Sequence, residues 1–489
     1  MRLQRPFYRS PPNRKRLQGA ADARRRVRRR TPCTSSARPA CRQAGNKADA
    51  VPYERLQLRN YEYMPIQMTT TIIARTPPVT SVEEIDFSHN FCVNYNRRHA
   101  SPLPIQLLSH EELNTVKDLR KIAKTPVIFL ILGKEMVFSP LAFQRLPELL
   151  LQGHWDAVAP VYSESVFENQ QAFLPVVYQN FRGFLEIAGL FHQAHDAKLQ
   201  AVEEVDPISI VVRRDALEKL PPGLLLEEIG DSLIKTGGQI GIAKDILVHR
   251  FGDYYGSIRT DLLGLIPDTA RRILDVGCAR GATGRFLKKK QDCHLTGVEI
   301  NPVLAEKAKQ WYDRVIVESI EEASFDSSFD AILCGDVIEH LRHPHPVLSK
   351  LANHLEPGGV IIGSTPNAGH WSIVLDLAQG YFEYIPVGLQ CVSHIRWFTE
   401  SSLRELLEEN GLNVEVIQRD CPPATPTGEG FITTLVKMGM GNESSLRTAE
   451  LRFLARRGPV PGNHAKALEA DAPPVAGSQG SNEALQDRR

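Results

Sequence analysis

The stretch Arg272-Ile273-Leu274-Asp275-Val276-Gly277-Cys278-Ala279-Arg280-Gly281-Ala282-Thr283-Gly284 decides the fold of the half that carries it. Ile273, Leu274 and Val276 make the apolar run of a buried parallel strand, and the chain then passes through an acidic, glycine-rich turn into a helix by way of Phe286 and Leu287. Glycines there let the backbone bend sharply and approach a ligand with no Cβ in the way. Eighteen residues past Gly281, a second strand, His294 to Ile300, ends in Glu299, where α/β nucleotide sites place a carboxylate on ribose hydroxyls. Asn301 and Pro302 cap and start a helix in which Leu304, Ala308 and Trp311 share one face. The pattern predicts a nucleoside site at the carboxyl edge of a parallel sheet. A dinucleotide site would want G-x-G-x-x-G to bring amides against a pyrophosphate, and Gly277, Gly281 and Gly284 are instead spaced four and three apart.

With these residues in view, the sequence resembles the class I S-adenosylmethionine-dependent methyltransferases, whose first motif Asp275-Val276-Gly277-Cys278-x-x-Gly281 matches. Three further stretches agree in order: Phe329 to His340 as the fourth strand and the turn after it, Leu355-Glu356-Pro357-Gly358-Gly359 before the fifth, and Ser364-Thr365-Pro366-Asn367 after it. Together they cover roughly residues 255–438, and four ordered motifs are more specific than one glycine turn. The resemblance implies a Rossmann-like seven-stranded methyltransferase domain over 251–440, preceded by a second α/β domain over 68–250, and S-adenosylmethionine as cofactor. It implies that Asp275, Gly277, Cys278 and Gly281 line the methionine and ribose part of that cofactor, that Glu299 holds the ribose, and that Asp336 stands on the cofactor side of the sheet. One position departs from the family. After the third strand, Val317-Glu318-Ser319-Ile320 offers Ser319 where an aspartate usually meets the adenine amino group, a bond that a hydroxyl accepts without charge assistance.

Methyl transfer from a sulfonium is an in-line displacement, so such an enzyme chiefly aligns donor and acceptor and removes a proton when the nucleophile is a hydroxyl. Glu339 and His340 follow the fourth strand, and His394-Ile395-Arg396-Trp397-Phe398-Thr399 precedes a helix with Leu403, Leu406 and Leu407 on its buried face and Gly411 at its end. His394 or His340 is expected as the base. Some small-RNA and quinone-pathway methyltransferases instead bind a divalent metal through an acid-x-x-Glu-His motif plus a distant histidine, a set that Asp336, Glu339, His340 and His394 resemble. Asp-Val-Ile-Glu-His also occurs in relatives without a metal, and the expectation adopted is no metal. His343 and His345 read as a solvated loop, while Trp371, Tyr381, Phe382 and Tyr384 read as either the wall of an acceptor pocket or simple core.

In the first domain, Pro126 to Gly133, Trp155 to Tyr162, Pro207 to Val212 and Ile240 to Val248 are expected as buried strands, with helices over Leu141 to Gln152 and Ala172 to Ala188. Residues 126–251 faintly resemble the later half of a family 2 (GT-A) glycosyltransferase through the Val127 to Leu132 and Asp156 to Val161 strands, the Leu226 to Asp231 helix and His249. The acidic metal pair that should follow the first strand reads Leu132-Gly133-Lys134-Glu135, one acid where two are wanted. The reading is therefore a degenerate module that binds a glycan or positions an acceptor.

The chain holds 489 residues, 42% hydrophobic and 24% charged, enough to bury a sizeable core. Its net charge of +1 conceals an asymmetry, because the first fifty residues hold 15 basic and 2 acidic side chains and the other 439 stand at −12. A mildly acidic body makes nucleic acid an unexpected partner. The longest apolar run, Val127 to Leu132, is far below the roughly 18 residues of a membrane span. Eight scattered cysteines without a C-x-x-C pair fit a reducing, cytoplasmic setting. Residues 1–67, with Arg24-Arg25-Arg26-Val27-Arg28-Arg29-Arg30, are expected not to fold. They read as an anionic-surface tail, a transit peptide, or codons upstream of a start at Met64 or Met68. Residues 441–489 are also expected to be a disordered tail.

Three functions follow from these readings. The first is an S-adenosylmethionine-dependent methyltransferase, directed at oxygen, acting on a saccharide or other small or envelope-related acceptor. The second is a glycosyltransferase, alone or fused to the methylating half. The third is a non-catalytic binding protein that keeps the cofactor fold.

Overall fold

Short runs of buried Val, Ile and Phe build the first sheet of the computed structural model, which describes residues 70–76, 84–100, 103–133, 136–174, 178–251 and 258–458. Its strands are β1 (Thr70–Arg75), β2 (Ile105–Leu108), β3 (Val127–Ile131), β4 (Met136–Phe138), β5 (Ala157–Tyr162), β6 (Leu199–Ala201), β7 (Ser209–Arg213) and β8 (Ile240–Arg250). The order across the sheet is β2-β1-β3-β7-β5-β8-β4, with β6 on β8. β1, β2 and β3 run parallel, β5 runs parallel to β8, and β7 runs antiparallel between β3 and β5. Every residue of β3 and β5 is buried, as strands covered by helices on both faces require.

The four strands expected here are present. So is the helix Pro140–Gln152, capped by the Ser139 hydroxyl on the Ala142 amide. The second helix lies further on than its apolar pattern suggested, at Phe181–Ala194. The Asn180 side chain accepts from the Gly183 amide and fixes that start, whereas Ala172–Leu174 stay non-helical, with the Ala172 amide bound to the Tyr162 carbonyl. Lys134 and Glu135, in the stretch that offers one acid where a metal pair is wanted, lie outside the described residues, as do residues 1–67. His249 is partly buried, and burial pushes its pKa down to about 3. Its Nδ1 lies 2.5 Å from the Tyr178 hydroxyl, which marks a packed, neutral imidazole.

The second sheet comprises β9 (Arg272–Val276), β10 (His294–Val298), β11 (Arg314–Ile316), β12 (Phe329–Gly335), β13 (Leu355–Pro366), β14 (Leu412–Asp420) and β15 (Glu450–Arg457), in the order β11-β10-β9-β12-β13-β15-β14. β9 to β13 are mutually parallel, and β15 is antiparallel to both neighbours. The order reverses between β9 and β12, a topological switch point whose carboxyl-edge crevice is the expected place for a ligand.

β15 corrects one expectation. The composition predicts a disordered tail from 441, yet a helix at Glu443–Arg447 and β15 follow. Leu451, Phe453 and Ala455 are buried at alternate positions, and the sheet would have a gap between β13 and β14 without them. The methyltransferase unit therefore extends to residue 457, and residues beyond 458 lie outside the described residues. Among the described residues no helix is long and apolar enough to cross a membrane.

Candidate functional site

The glycine turn takes its shape from three positive φ angles. Gly277 (+75°), Ala279 (+45°) and Gly281 (+85°) alternate through the turn, and Gly281 is the residue from which the helix Ala282–Lys290 starts. The Gly277 and Cys278 amides both donate to the Val298 carbonyl, at 2.8 and 3.1 Å, which anchors the turn across β10. A Cβ on Gly281 would stand 3.0 Å from Ala308 Cα, and one on Gly284 would enter the Tyr312 ring at 2.4 Å. The third glycine thus serves helix packing, while Gly277 faces Val337 on the β12 side of the crevice, 3.3 Å from its would-be Cβ.

Glu299 ties this turn to the next helix. One carboxylate oxygen accepts from the Ala279 amide at 2.8 Å and the other from the Asn301 amide at 2.9 Å, so a buried carboxylate is fixed between two backbone segments at the carboxyl end of β10, with lone pairs left for a ligand's hydroxyls. Asp275 is buried beneath it and accepts from the Tyr312 hydroxyl at 2.5 Å. Burial pushes its pKa up to about 7, with Glu299 adding to the rise and Tyr312 opposing it. The Cys278 thiol is buried in the core beside Tyr312 and Leu295, which leaves its backbone on the turn. Ser319 stands partly exposed just past β11, its hydroxyl accepting from the Glu321 amide at 3.2 Å.

A pH dependence follows from Asp275. An unfolded aspartate titrates near pKa ~3.9, so the folded, cofactor-free chain binds a proton between that value and about 7 that the unfolded chain has released. Stability is full below the lower value and declines as pH rises through that window. Asp275→Asn should remove the decline and raise the unfolding free energy of the cofactor-free protein at pH 8 by about 2 kcal/mol, half the ceiling that three pKa units would set. Urea unfolding at pH 5 and pH 8 measures it, and equal pH slopes in the two proteins would refute it.

Asp336, at the tip of β12, has a positive φ of 53°. Its carboxylate accepts from Arg259 at 2.5 Å and from the Ser364 hydroxyl at 2.7 Å. Arg259 also reaches Asp261 and Glu450 at 2.8 and 2.9 Å, and these surrounding carboxylates hold its guanidinium firmly protonated against the cost of burial. The sequence reading missed Arg259 entirely. Nothing in the sequence marks its place at the site, since Asp336 and Glu450, the partners that put it there, lie 77 and 191 residues away.

Beyond Asp336, a short 3₁₀ turn at Ile338–His340 brings Glu339 and His340 against His394. One ligand-capable atom of each lies within 4.8 Å of the others, and the two imidazoles meet edge to face with centroids 4.8 Å apart. His340 Nδ1 is 3.0 Å from the Ser393 carbonyl and His394 Nδ1 is 3.0 Å from the Leu389 carbonyl. A carbonyl only accepts, so both Nδ1 atoms carry the proton and both Nε2 atoms present lone pairs. Burial lowers the pKa of His340 and pushes that of His394 down to about 4. Glu339 is 1% exposed, and neither carboxylate oxygen makes a hydrogen bond of good geometry among the described residues, although the Thr365 hydroxyl and its own backbone amide lie close enough to oppose the rise in its pKa. Burial first, then the Asp336 charge, raises its pKa well above the usual carboxylate range, and His394 Nε2 lies 4.0 Å away.

A buried carboxylate without a partner, facing two imidazoles locked with Nε2 lone pairs available, is a donor set that fits a divalent cation. Glu339, His340 and His394 would hold it. Asp336, engaged by Arg259 and Ser364, is not in the group. His343 and His345 are exposed, as expected, although His345 lies in the helix Pro344–Asn353 instead of a loop. Of the four aromatics, Trp371 is buried with Ala424, Ile432 and Leu446 and belongs to the core, whereas Tyr381, Phe382 and Tyr384 are exposed. Phe382 packs edge to face against both Tyr384 and Trp397, at 5.2 and 5.3 Å, and Trp397 lies 6.1 Å from the His394 ring, so an aromatic wall runs up to the histidines.

Residues 248–416 match a family model described as a methyltransferase domain. Relatives named ubiquinone biosynthesis O-methyltransferase include those of Xylella fastidiosa (32% identical over 110 residues, 21% of this chain and 44% of the relative) and Paracidovorax citrulli (32% over 132 residues, 25% and 54%). The relative of that name from Rickettsia bellii is 24% identical over 222 residues, 42% of this chain and 85% of its own. The chain spans about half the length of the first two of these relatives. The switch point between β9 and β12, the glycine turn with Glu299 beside it, and this match agree on one family: the C-terminal half of the chain is a class I S-adenosylmethionine-dependent methyltransferase domain.

Proposed function

We propose that the protein transfers a methyl group from S-adenosylmethionine to a hydroxyl of a small molecule carrying two adjacent oxygens, borne either by a catechol ring or by a sugar. In this reading Gly277, Gly281, Asp275 and Glu299 cradle the cofactor, Ser319 meets its adenine, and Asp336 with Arg259 shapes the crevice wall. The observation that carries it is the Glu339, His340 and His394 cluster, with its orphaned carboxylate and two fixed imidazoles. A divalent ion held there would supply Lewis acidity, lowering the pKa of an acceptor hydroxyl. The aromatic wall of Phe382, Tyr384 and Trp397 would stack on the flat face of the acceptor and orient its hydroxyl toward the methyl group. The oxygen gains the methyl carbon, the sulfur–carbon bond breaks, and the hydroxyl proton leaves to solvent.

A reading in which His394 is itself the base uses only one Nε2 and leaves the unpartnered Glu339 carboxylate without a purpose. Labelled S-adenosylmethionine offered with 3,4-dihydroxybenzoate in one arm and methyl glucoside in the other, with magnesium or after chelation, tests the proposal. One of the two acceptors should gain label, and chelation or His394→Ala should cut transfer about 10–100-fold. Label on neither acceptor would sink the vicinal-oxygen reading, and transfer undiminished by chelation would sink the metal.

A further inference from the structure

The wall of the proposed acceptor pocket is held from outside the methyltransferase domain. The helix Trp371–Ala378 leads into residues 379–399, which carry Tyr381, Phe382, Tyr384, His394 and Trp397. At its end Asp376, 3% exposed, receives two donors from the N-terminal sheet's helix Phe181–Ala194 and its cap: Arg182 Nη1 at 2.6 Å and Asn180 Nδ2 at 2.8 Å. The same guanidinium donates to Gln379 and lies over the Tyr381 ring, 5.0 Å from its centroid. Two contacts follow along the segment. Arg98 donates to Glu383 at 3.1 Å, and Ile385, 4% exposed, is buried in the hydrophobic core of the N-terminal sheet.

The grip reaches the reactive end through the chain itself. Tyr381 adjoins Phe382, which packs on Trp397, and Leu389, whose carbonyl fixes the His394 ring, packs with Ile373 of the same helix and with Trp397. A segment bearing three exposed aromatics has little apolar burial of its own to order it. Its first half is held by the Arg182–Asp376 ion pair at one end and the Ile385 anchor in the middle, and its second half by Leu389 on Ile373 and by the Ile395 and Arg396 amides on the Glu339 carbonyl.

We propose that the N-terminal unit completes the acceptor site, with Arg182 as a positioning residue that acts through Asp376, Gln379 and Tyr381 to hold the aromatic wall of residues 381–397 in register around His394. This rests on the acceptor pocket proposed above. It assigns the N-terminal unit a part in methyl transfer that requires no nucleotide-sugar chemistry. Arg182 touches neither cofactor nor acceptor, so its loss should act on acceptor affinity and leave the cofactor end alone.

The test uses the full chain as wild type, Arg182→Ala and Arg182→Lys, read by hydrogen exchange, S-adenosylhomocysteine titration and 3,4-dihydroxybenzoate kinetics. In Arg182→Ala, amides of 381–397 should exchange at least about tenfold faster while those of β3, β5, β9 and β12 keep their protection. The S-adenosylhomocysteine Kd should stay within about twofold, and KM for the catechol should rise about tenfold with kcat changed less than about threefold. Arg182→Lys, which keeps a charge for Asp376 but not the planar fork, should fall between the two. Unchanged exchange over 381–397 overturns the proposal, as does protection lost equally across both sheets. Faster exchange with cofactor binding intact but no methylation of the catechol upholds the clamp and counts against the catechol acceptor instead.

Discussion

Phe453→Ala should lower the unfolding free energy by about 3–5 kcal/mol, the range for truncating a fully buried aromatic that leaves a cavity. Phe453 is 0% exposed and sits in β15 between β13 and β14, opposite Gly363 and Ile417. Its ring occupies the space above Gly363 so closely that a Cβ there would lie 2.6 Å from the ring. Gly363 directly opposite has no side chain to fill the void, which limits how much of the loss relaxation recovers. For a domain of this size each kcal/mol lowers Tm by about 2–4 °C, and calorimetry should find a drop of about 10 °C. A fall below about 1 kcal/mol would mean that β15 is not the interior strand described. Truncation after Met440 should be worse: β13 and β14 would each lose a full antiparallel ladder, and the exposed edges would drive aggregation.

The alternation in Leu451-Arg452-Phe453-Leu454-Ala455 is the plainest strand pattern in the C-terminal region, yet the sequence reading placed it in a tail. The cause is averaging: the Ala-, Gly- and Pro-rich residues that follow dilute eight residues of period-two signal. β9, β10, β12 and β13 were legible because each is a buried apolar run ending beside a glycine, an acid or an asparagine, where local chemistry and fold agree. The site was legible in part. Glu339, His340 and His394 announce themselves by residue type, but that two imidazoles turn their Nε2 atoms toward an unpartnered carboxylate depends on the Ser393 and Leu389 carbonyls, which no side-chain pattern encodes. Arg259, and Arg182 with Asp376, were illegible for the same reason. An ion pair spanning 77 or 194 residues is a product of tertiary packing and has no periodicity to betray it. Trp371 stays open between pocket and core because an aromatic in a helix looks alike from sequence whether it faces a pocket or Gly428, whose missing Cβ makes room for its indole.

Gly277→Arg should abolish cofactor binding, with the Kd for S-adenosylhomocysteine rising at least about 100-fold, close to 3 kcal/mol. Two costs must be separated to read that result. Gly277 has φ +75°, and any L side chain in this region pays about 1–2 kcal/mol in backbone strain. The Cβ would also stand 3.3 Å from Val337 Cγ2, which sends a long side chain into the crevice between the β9 and β12 turns and brings a guanidinium toward Asp275 and Glu299. Gly411→Arg supplies the control. Its φ is +76°, it ends the helix Glu400–Glu409 away from the crevice, and a Cβ there meets nothing within 4 Å. The two substitutions therefore share the backbone cost and differ only in what the side chain enters. Both proteins should lose a similar 1–2 kcal/mol or so of stability, and calorimetric titration should find S-adenosylhomocysteine binding lost in Gly277→Arg and intact in Gly411→Arg. Binding retained in both would show that the glycine turn is only a strand-to-helix connection, and binding lost in both would trace the defect to the fold instead of the crevice.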